Sequence, residues 1–256
     1  MRTIRTIDEM RAAVSGEVGL VPTMGALHAG HRSLFHAARV ENDVVVASLF
    51  VNPAQFDDAA DLELYPREEE RDAAIAAEDG VDILFAPSAD EMYGDGFRTW
   101  VDVEDTGGEG AARPGHFRGV ATVCLKLFNV VRPRRAYFGQ KDAQQAVVIR
   151  RMVRDLDLDV DVRILPTVRE DDGLALSSRN VRLTPEERAR AATLPRALHA
   201  AVDAPDPVAA ARASLNGLNP DYVELVELDG ALLLAAAVRV GSTRLIDNVL
   251  LKGELP

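Results

Sequence analysis

Residues 43–51 read Asp-Val-Val-Val-Ala-Ser-Leu-Phe-Val, a near-continuous apolar run rich in β-branched side chains. A strand with one wet face alternates apolar and polar residues, whereas a strand buried on both faces has no need to. The run therefore predicts a parallel strand covered above and below, which requires helices on either side. The neighbouring sequence contains them. Residues 31–40 have helical spacing, with Leu34, Ala37 and Ala38 on one side. Residues 66–79 predict a helix that begins at Pro66 and carries acidic residues in its first turn. Residues 18–23, 81–85, 136–138 and 159–168 read as further strands. Residues 119–131 and 142–155 read as further helices, the second with Asp142 as its N-cap. Strands alternating with helices in this order predict the α/β class, with a parallel sheet covered on both faces.

The pattern changes after Arg169. Thr184-Pro185-Glu186-Glu187 is a helix start, with Thr at the cap and Pro in the first turn, and that helix is expected to run to about residue 202. A Pro-containing break follows at 204–207. Residues 222–228 and 235–250 then read as strands of a small mixed domain. The expected organisation is a large domain over residues 1–169 and a smaller α+β domain over 170–256.

Composition narrows the function. Hydrophobic residues make up 47% of the 256, enough for a substantial core. No apolar run is long enough to span a membrane, and Met1-Arg2-Thr3-Ile4-Arg5 lacks the apolar stretch of a signal peptide. Cys124 is the single cysteine, so neither an intrachain disulfide nor a multi-cysteine metal site can form. These features lead to the expectation of a cytoplasmic protein with no membrane partner. The formal charge of −12, from 29 basic and 41 acidic residues, disfavours nucleic acid as a partner. Positive charge needed for an anionic substrate must then be local. Lysine occurs only at Lys126, Lys141 and Lys252, all other basic side chains except histidine being arginine. A compact ammonium on a phosphate is one reason to write Lys in such a chain; chance retention is another.

Four segments carry chemistry. In Pro22-Thr23-Met24-Gly25-Ala26-Leu27-His28-Ala29-Gly30-His31 a strand ends, a glycine-bearing turn follows and H-x-G-H opens a helix. A helix N-terminus offers unpaired N–H groups and a positive dipole end, which suit phosphate. Two imidazoles there can donate to a triphosphate and stabilise charge that grows on its oxygens. The plainer alternative is a pair of capping or core histidines. A zinc-hydrolase reading fails, because the glutamate between the histidines is missing and the pair lies at a turn. Leu174-Ala175-Leu176-Ser177-Ser178-Arg179-Asn180 sets two hydroxyls beside a guanidinium fork, an anion clamp or an ordinary loop. Tyr137-Phe138-Gly139-Gln140-Lys141-Asp142-Ala143-Gln144-Gln145 crosses from a strand end into a helix, where open α/β sheets collect ligands. There Lys141 can reach phosphate, and Asp142 can accept from ribose hydroxyls or simply cap the helix. Phe50-Val51-Asn52-Pro53-Ala54-Gln55-Phe56 also follows a strand, and its amides can hold a hydroxyl-bearing substrate or form a polar turn.

Taken together these segments closely resemble the pantothenate synthetase family. P-T-M-G-A-L-H-x-G-H, F-V-N-P-x-Q-F, Y-P-R, R-P-x-H-F-x-G-V-x-T-V, F-G-x-K-D-x-Q-Q, L-x-x-S-S-R-N and R-L-I-D-N occur in the family's order over nearly the whole chain. The resemblance implies a Rossmann-like nucleotidyltransferase domain with a small C-terminal domain. It also implies a homodimer and an ATP- and Mg²⁺-dependent ligation of pantoate to β-alanine through a pantoyl-adenylate. It assigns ATP to Met24, His28, His31, Gly139, Lys141 and Asp142, and also to Val168, Ser177, Ser178 and Arg179. His28, His31, Lys141 and Arg179 would serve the chemistry. Pantoate and β-alanine would meet Thr23, Met24, Asn52, Gln55 and Tyr65, with Arg113, His116, Cys124, Phe138 and Gln145. Asp72 falls in the region of acidic metal-side residues. The chain departs from the family at Ala143, where an aromatic residue is usual, and at Cys124, where Val is common. It is also short between residues 229 and 235.

Two other functions compete with this one. Another adenylyl- or cytidylyltransferase would share H-x-G-H, but the amide-rich F-V-N-P-A-Q-F and the S-S-R-N segment favour the ligase. A non-catalytic nucleotide-binding regulator would need the fold but not the convergence of His28, Lys141 and Arg179.

Overall fold

The structure, a computed structural model, describes residues 1–104, 107–228 and 230–254. In chain order the first elements are β1 (Arg2–Ile4), α1 (Ile7–Ala13), β2 (Val18–Thr23), α2 (Ala29–Glu41), β3 (Val44–Leu49), α3 (Ala59–Glu63) and α4 (Glu69–Glu78). Then come β4 (Ile83–Phe85), α5 (Ala89–Met92), α6 (Gly108–Ala112), α7 (His116–Val131), β5 (Arg135–Gly139), α8 (Ala143–Asp155) and β6 (Asp161–Leu165). The last are α9 (Pro185–Ala191), α10 (Thr193–Ala200), α11 (Pro207–Ser214), β7 (Asn219–Leu228), β8 (Ala231–Val240) and β9 (Thr243–Lys252). No helix among the described residues is long and apolar enough to cross a membrane.

The chain forms two compact units. The first comprises Met1–Glu104, Arg113–Phe138 and Val148–Arg163. It is built on a sheet of order β1-β4-β3-β2-β5-β6, in which β1/β4, β4/β3, β3/β2 and β2/β5 pair in parallel. The apolar run identified in the sequence is β3, and its successive residues Val45, Val46 and Ala47 are all buried, as a strand covered on both faces requires. From β2 the chain builds outward through β3 and β4, and later returns to place β5 on the opposite edge of β2. That is the switch point at whose carboxyl strand ends α/β sheets bind ligands. One helix start differs from expectation. α4 begins at Glu69, not Pro66, because Arg67 turns back to cap the end of α3, donating to the carbonyls of Leu62 (2.9 Å) and Tyr65 (3.2 Å). Asp142 immediately precedes α8, as the last residue of a 3₁₀ turn, Gln140–Asp142, that runs straight into the helix.

The second unit comprises Asp105–Ala112, Gly139–Val147 and Ile164–Pro256. It therefore draws two segments from the middle of the chain, and the main chain enters it at 163/164, a few residues before the boundary expected at 169/170. Its sheet is antiparallel, β7-β8-β9. The expected single strand at 235–250 is two strands, separated at Gly241, whose φ of +58° allows the tight reversal. Leu194, Leu198, Ala211 and Leu215 pack with Leu234, Ala236, Val238, Leu245 and Val249 to form its apolar core. The helix foreseen from Thr184 has its capping box, Thr184 Oγ1 accepting from Glu187 N and Glu187 Oε2 from Thr184 N. It ends at Ala191 and restarts at Thr193, because Pro195 has no N–H for the Ala191 carbonyl and is tolerated only in a first turn. The shortened stretch begins at Asp229, which lies outside the described residues.

Candidate active site

At the carboxyl end of β2 the chain makes the turn that presents H-x-G-H. His28 is the N-cap of α2, and its Nδ1 accepts from Gly30 N at 3.1 Å. His31, at the third helical position, accepts from His28 N through its own Nδ1 at 3.3 Å. The two histidines form a reciprocal capping box, and their rings lie 4.2 Å apart between centroids. The capping reading therefore holds. An Nδ1 that accepts a backbone N–H carries no proton, so each neutral imidazole is assigned the Nε2–H tautomer. The cap aims each ring as a donor through Nε2 at a helix N-terminus, where negative charge is favoured.

The turn before the histidines is held from below by Asp72. Gly25 (φ +85°) and Ala26 (φ +52°) are both left-handed, an unfavourable state for alanine. Asp72 is 1% exposed, and its two carboxylate oxygens each accept one N–H, from Ala26 and Leu27, both at 2.8 Å. A Cβ on Gly25 would come within 2.8 Å of Asp72 Oδ2 and of Leu49 Cδ1, so the turn admits only glycine there. In the structure Asp72 is a brace for the backbone of this turn. Thr23, buried at the end of β2, likewise serves the turn, donating to Ser48 O (2.7 Å) and accepting from Gly25 N (3.2 Å). Met24 follows it, half-buried.

A second group surrounds the turn after β3. Asn52 is 1% exposed, and each atom of its amide is engaged. Oδ1 accepts from Ala54 N (3.2 Å) and the Tyr93 hydroxyl (2.8 Å); Nδ2 donates to Gln55 Oε1 (2.9 Å) and Gly119 O (3.1 Å). Asn52 thus positions Gln55 and has no capacity left for a substrate. His116 Nδ1 lies 2.8 Å from Gln55 O, and the guanidinium of Arg113 also donates to that carbonyl (3.2 Å) and to Asp57 (2.9 Å). Gly119 lets α7 approach so closely that an added Cβ would overlap the Ala54 carbonyl and lie 2.7 Å from Gln55 N. Tyr65 is buried edge-on against Phe56, 5.7 Å between centroids. The structure therefore brings Asn52, Tyr65, Arg113 and His116 together around one turn whose central polar side chain is Gln55. Sequence reasoning missed Tyr93, which no motif marks.

Cys124 is buried on α7 among apolar neighbours, and burial pushes its thiol up to about 12. It is protonated at neutral pH and unsuited to act as a nucleophile.

The remaining candidates lie in the second unit, apart from Phe138, which ends a segment of the first. Phe138 is buried in β5, and Gly139 ends that strand. Lys141 Nζ is 3.2 Å from Asp142 Oδ1. Gln145 is half-buried in the first turn of α8. The Val168 carbonyl accepts from Leu176 N (3.0 Å), next to the bridge between Arg169 and Ala175. That short antiparallel pairing delivers Ser177, whose Oγ accepts from Arg179 N (3.3 Å) and caps the 3₁₀ turn Ser178–Arg182. Ser177, Ser178 and Arg179 are all half-buried, and Asn180 fastens the turn by donating to the Ala175 carbonyl (3.1 Å).

Among the described residues no three His, Cys, Asp or Glu side chains are grouped to hold a metal ion, and both oxygens of Asp72 are engaged by the backbone. The described residues therefore form no all-protein cage for Mg²⁺.

The geometry can be set beside known proteins. The sequence profile of the family described as Pantoate-beta-alanine ligase matches residues 2–250. The pantothenate synthetase of Roseiflexus castenholzii is 52% identical over 277 aligned positions, covering 98% of this chain and 100% of the relative. The crystal structure of pantothenate synthetase from Thermus thermophilus superposes with a TM-score of 0.93 at 48% identity, covering 99% of this chain and 100% of that one. A pantoate-beta-alanine ligase from Francisella tularensis, solved in complex with beta-gamma ATP and beta-alanine, superposes with a TM-score of 0.86 at 35% identity, covering 99% of both chains. With the family profile matched over residues 2–250 and half the aligned residues shared with a relative covered over its whole length, the chain belongs to the pantoate–β-alanine ligase family.

Proposed function

We infer that this chain condenses pantoate with β-alanine at the expense of ATP, and that it does so through a pantoyl-adenylate. The observation that carries the reading is the reciprocal histidine cap, which presents two Nε2–H donors at the start of α2. A carboxylate is a poor electrophile, because an amine cannot expel oxide from it. In the first step a pantoate carboxylate oxygen bonds to the α-phosphorus of ATP, and the bond from that phosphorus to the bridging oxygen breaks, releasing pyrophosphate. In the second the β-alanine amine attacks the acyl carbon, loses a proton and displaces AMP. His28 and His31 donate to the phosphates, as do Lys141, Ser177, Ser178 and Arg179, where charge builds in the first step. Gly139, Asp142 and Val168 hold the nucleoside, and Met24 lies at both substrates. Gln55 and Gln145 are assigned to the hydroxyl-bearing acid, as are Thr23, Tyr65, Cys124 and Phe138. Asn52, Arg113 and His116 act through Gln55. Mg²⁺ enters with ATP as part of the nucleotide substrate, bound chiefly by its phosphates. The reading extends to a cytoplasmic homodimer, for which light scattering of the purified protein is the check.

The test is isotope exchange. With pantoate and Mg²⁺ but no β-alanine, labelled pyrophosphate should enter ATP. Adding β-alanine should then yield AMP, pyrophosphate and pantothenate in equal amounts. ADP and phosphate as products would instead establish an acyl-phosphate and overturn the adenylate.

A further inference from the structure

The R-L-I-D-N segment, Arg244 to Asn248, lies in β9 and has no part in the assignment above. Successive side chains of a strand point to opposite faces. Leu245, Asp247 and Val249 therefore share the face that carries the apolar core, and Asn248 points the other way with Arg244 and Ile246. Asn248 is nonetheless 2% exposed.

What buries it is the turn that carries Lys141. Both hydrogens of Asn248 Nδ2 go to consecutive carbonyls of that turn, Gln140 O at 2.9 Å and Lys141 O at 3.1 Å. Asn248 Oδ1 accepts from Gln140 Nε2 at 3.0 Å. Only a side-chain amide can meet this set, because it must donate twice and accept once at neighbouring atoms. Aspartate would set an anionic oxygen against two carbonyl oxygens. Alanine would leave three buried polar groups without partners, each at a cost.

The amide is in turn fixed from behind. Asn248 N donates to Asp247 Oδ1 at 2.8 Å. Asp247, 3% exposed, takes both arms of Arg169 at 2.7 and 3.0 Å, and Arg169 also reaches the carbonyls of Gly173 (3.0 Å) and Asn248 (3.3 Å). A 3₁₀ turn has poorer hydrogen-bond geometry than an α-helix and is seldom long. The Gln140–Asp142 turn is three residues long, and its backbone is held in register from β9.

We propose that Asn248 is a positioning residue for Lys141: its amide locks the Gln140–Lys141 carbonyls and so fixes where the Lys141 ammonium is delivered. The proposal rests on the assignment of Lys141 to the ATP phosphates. Misplacing a positioned group by about 1 Å can cost on the order of 10²-fold in rate.

The chain's three lysines make the test direct. Lysine labelled with ¹³C at Cε and ¹⁵N at Nζ, incorporated during expression, gives three side-chain signals, each assigned by a Lys→Arg variant. In Asn248→Ala the Lys141 signal should move in the ligand-free protein and lose its response to ATP. The Lys126 and Lys252 signals should stay in place. Pyrophosphate exchange at saturating substrates should fall about 10–100-fold with KM for pantoate little changed. Should Asn248→Ala fail to fold, Asn248→Asp is measured in the same way, because it keeps the acceptor for Gln140 and the side-chain volume while replacing the two donors with an oxygen that repels the two carbonyls. A Lys141 signal and ATP response identical to the parent's in either folded variant, whatever the rate, overturns the proposal. A parent Lys141 signal that ignores ATP would refute the phosphate assignment instead, and the ligand-free shift in Asn248→Ala would still decide whether Asn248 positions Lys141.

Discussion

Replacing Asp72 by asparagine separates two roles that a carboxylate in this segment could have. The substitution is nearly isosteric, so packing is kept. It leaves one oxygen to accept from Ala26 or Leu27 and turns an NH₂ toward the other N–H. Each bond is 2.8 Å long and made to a charged acceptor in a site 1% exposed. A hydrogen bond to a charged group contributes about 1.5–3 kcal/mol, and a buried donor left unpaired costs about 1–3 kcal/mol. These overlap, since the lost bond and the stranded donor are one event, so the expected loss of stability is about 2–4 kcal/mol. For a chain of this size that is a fall of about 4–16 °C in unfolding midpoint. The turn also holds Ala26 left-handed at φ +52°, and without its brace it should relax and carry His28 with it. We expect pyrophosphate exchange to drop by about 10–100-fold. Thermal unfolding without Mg²⁺ and exchange over a Mg²⁺ titration are the two assays. The brace requires a lower midpoint and an unchanged half-saturating Mg²⁺ concentration. An unchanged midpoint, with activity restored by excess Mg²⁺, would make Asp72 a metal ligand and refute the reasoning.

Three further outcomes are expected. His28→Ala and Lys141→Ala should each lower turnover by at least ~10² with the fold intact, about 2.7–4 kcal/mol of transition-state stabilisation, as steady-state kinetics and circular dichroism will show; near-parental turnover in either would cancel its role. Gly119→Ala should raise KM for pantoate and lower the unfolding midpoint, because the added methyl drives α7 off the Ala54–Gln55 backbone that carries the Gln55 side chain; an unchanged KM would disconnect that turn from the acid. Cys124→Val should keep activity and flatten the alkaline limb of stability. The thiol's folded value is raised from 9.0 to about 12, so its contribution is whole below pH 9.0 and is lost as pH climbs toward 12. The parent's slope from this group approaches about 1.4 kcal/mol per pH unit within that window, which urea unfolding at pH 8 and 10 will measure in both proteins; equal slopes would count against it.

Much of this was legible before any coordinates. The unbroken apolar run at β3 required a covered parallel sheet, and the H-x-G-H spacing required a helix start, because both are local patterns with one structural solution. What stayed hidden depends on partners far away in sequence. Asp72 acts on residues 45 and 46 positions before it, and nothing in Glu-Glu-Glu-Arg-Asp shows that its last member turns inward. Asn52 and Gln55 were recognisable as an amide pair, but only the burial of Asn52 under Tyr93 and Gly119 shows which of the two supports and which is supported. The hairpin at Gly241 was masked for a related reason. Apolar residues on both sides of it read as one strand, and only the antiparallel register divides them.

The segmental make-up of the second unit has a consequence for how the chain comes into being on the ribosome. Glu109 is 6% exposed and held by Arg244 at 2.8 Å, a residue made 135 positions later. The turn at Gln140 and Lys141 is likewise clamped by an asparagine that emerges 107 positions after Lys141. The first unit has all its segments once residue 163 has been made. Two stretches of the second are by then already synthesised, with the strand that will tether them not yet translated. The nascent chain therefore carries Glu109 and the Gln140–Lys141 turn without their β9 partners until that strand arrives. Synthesis fixes the order: the sheet of the first unit can close early, and the backbone that delivers Lys141 is locked late.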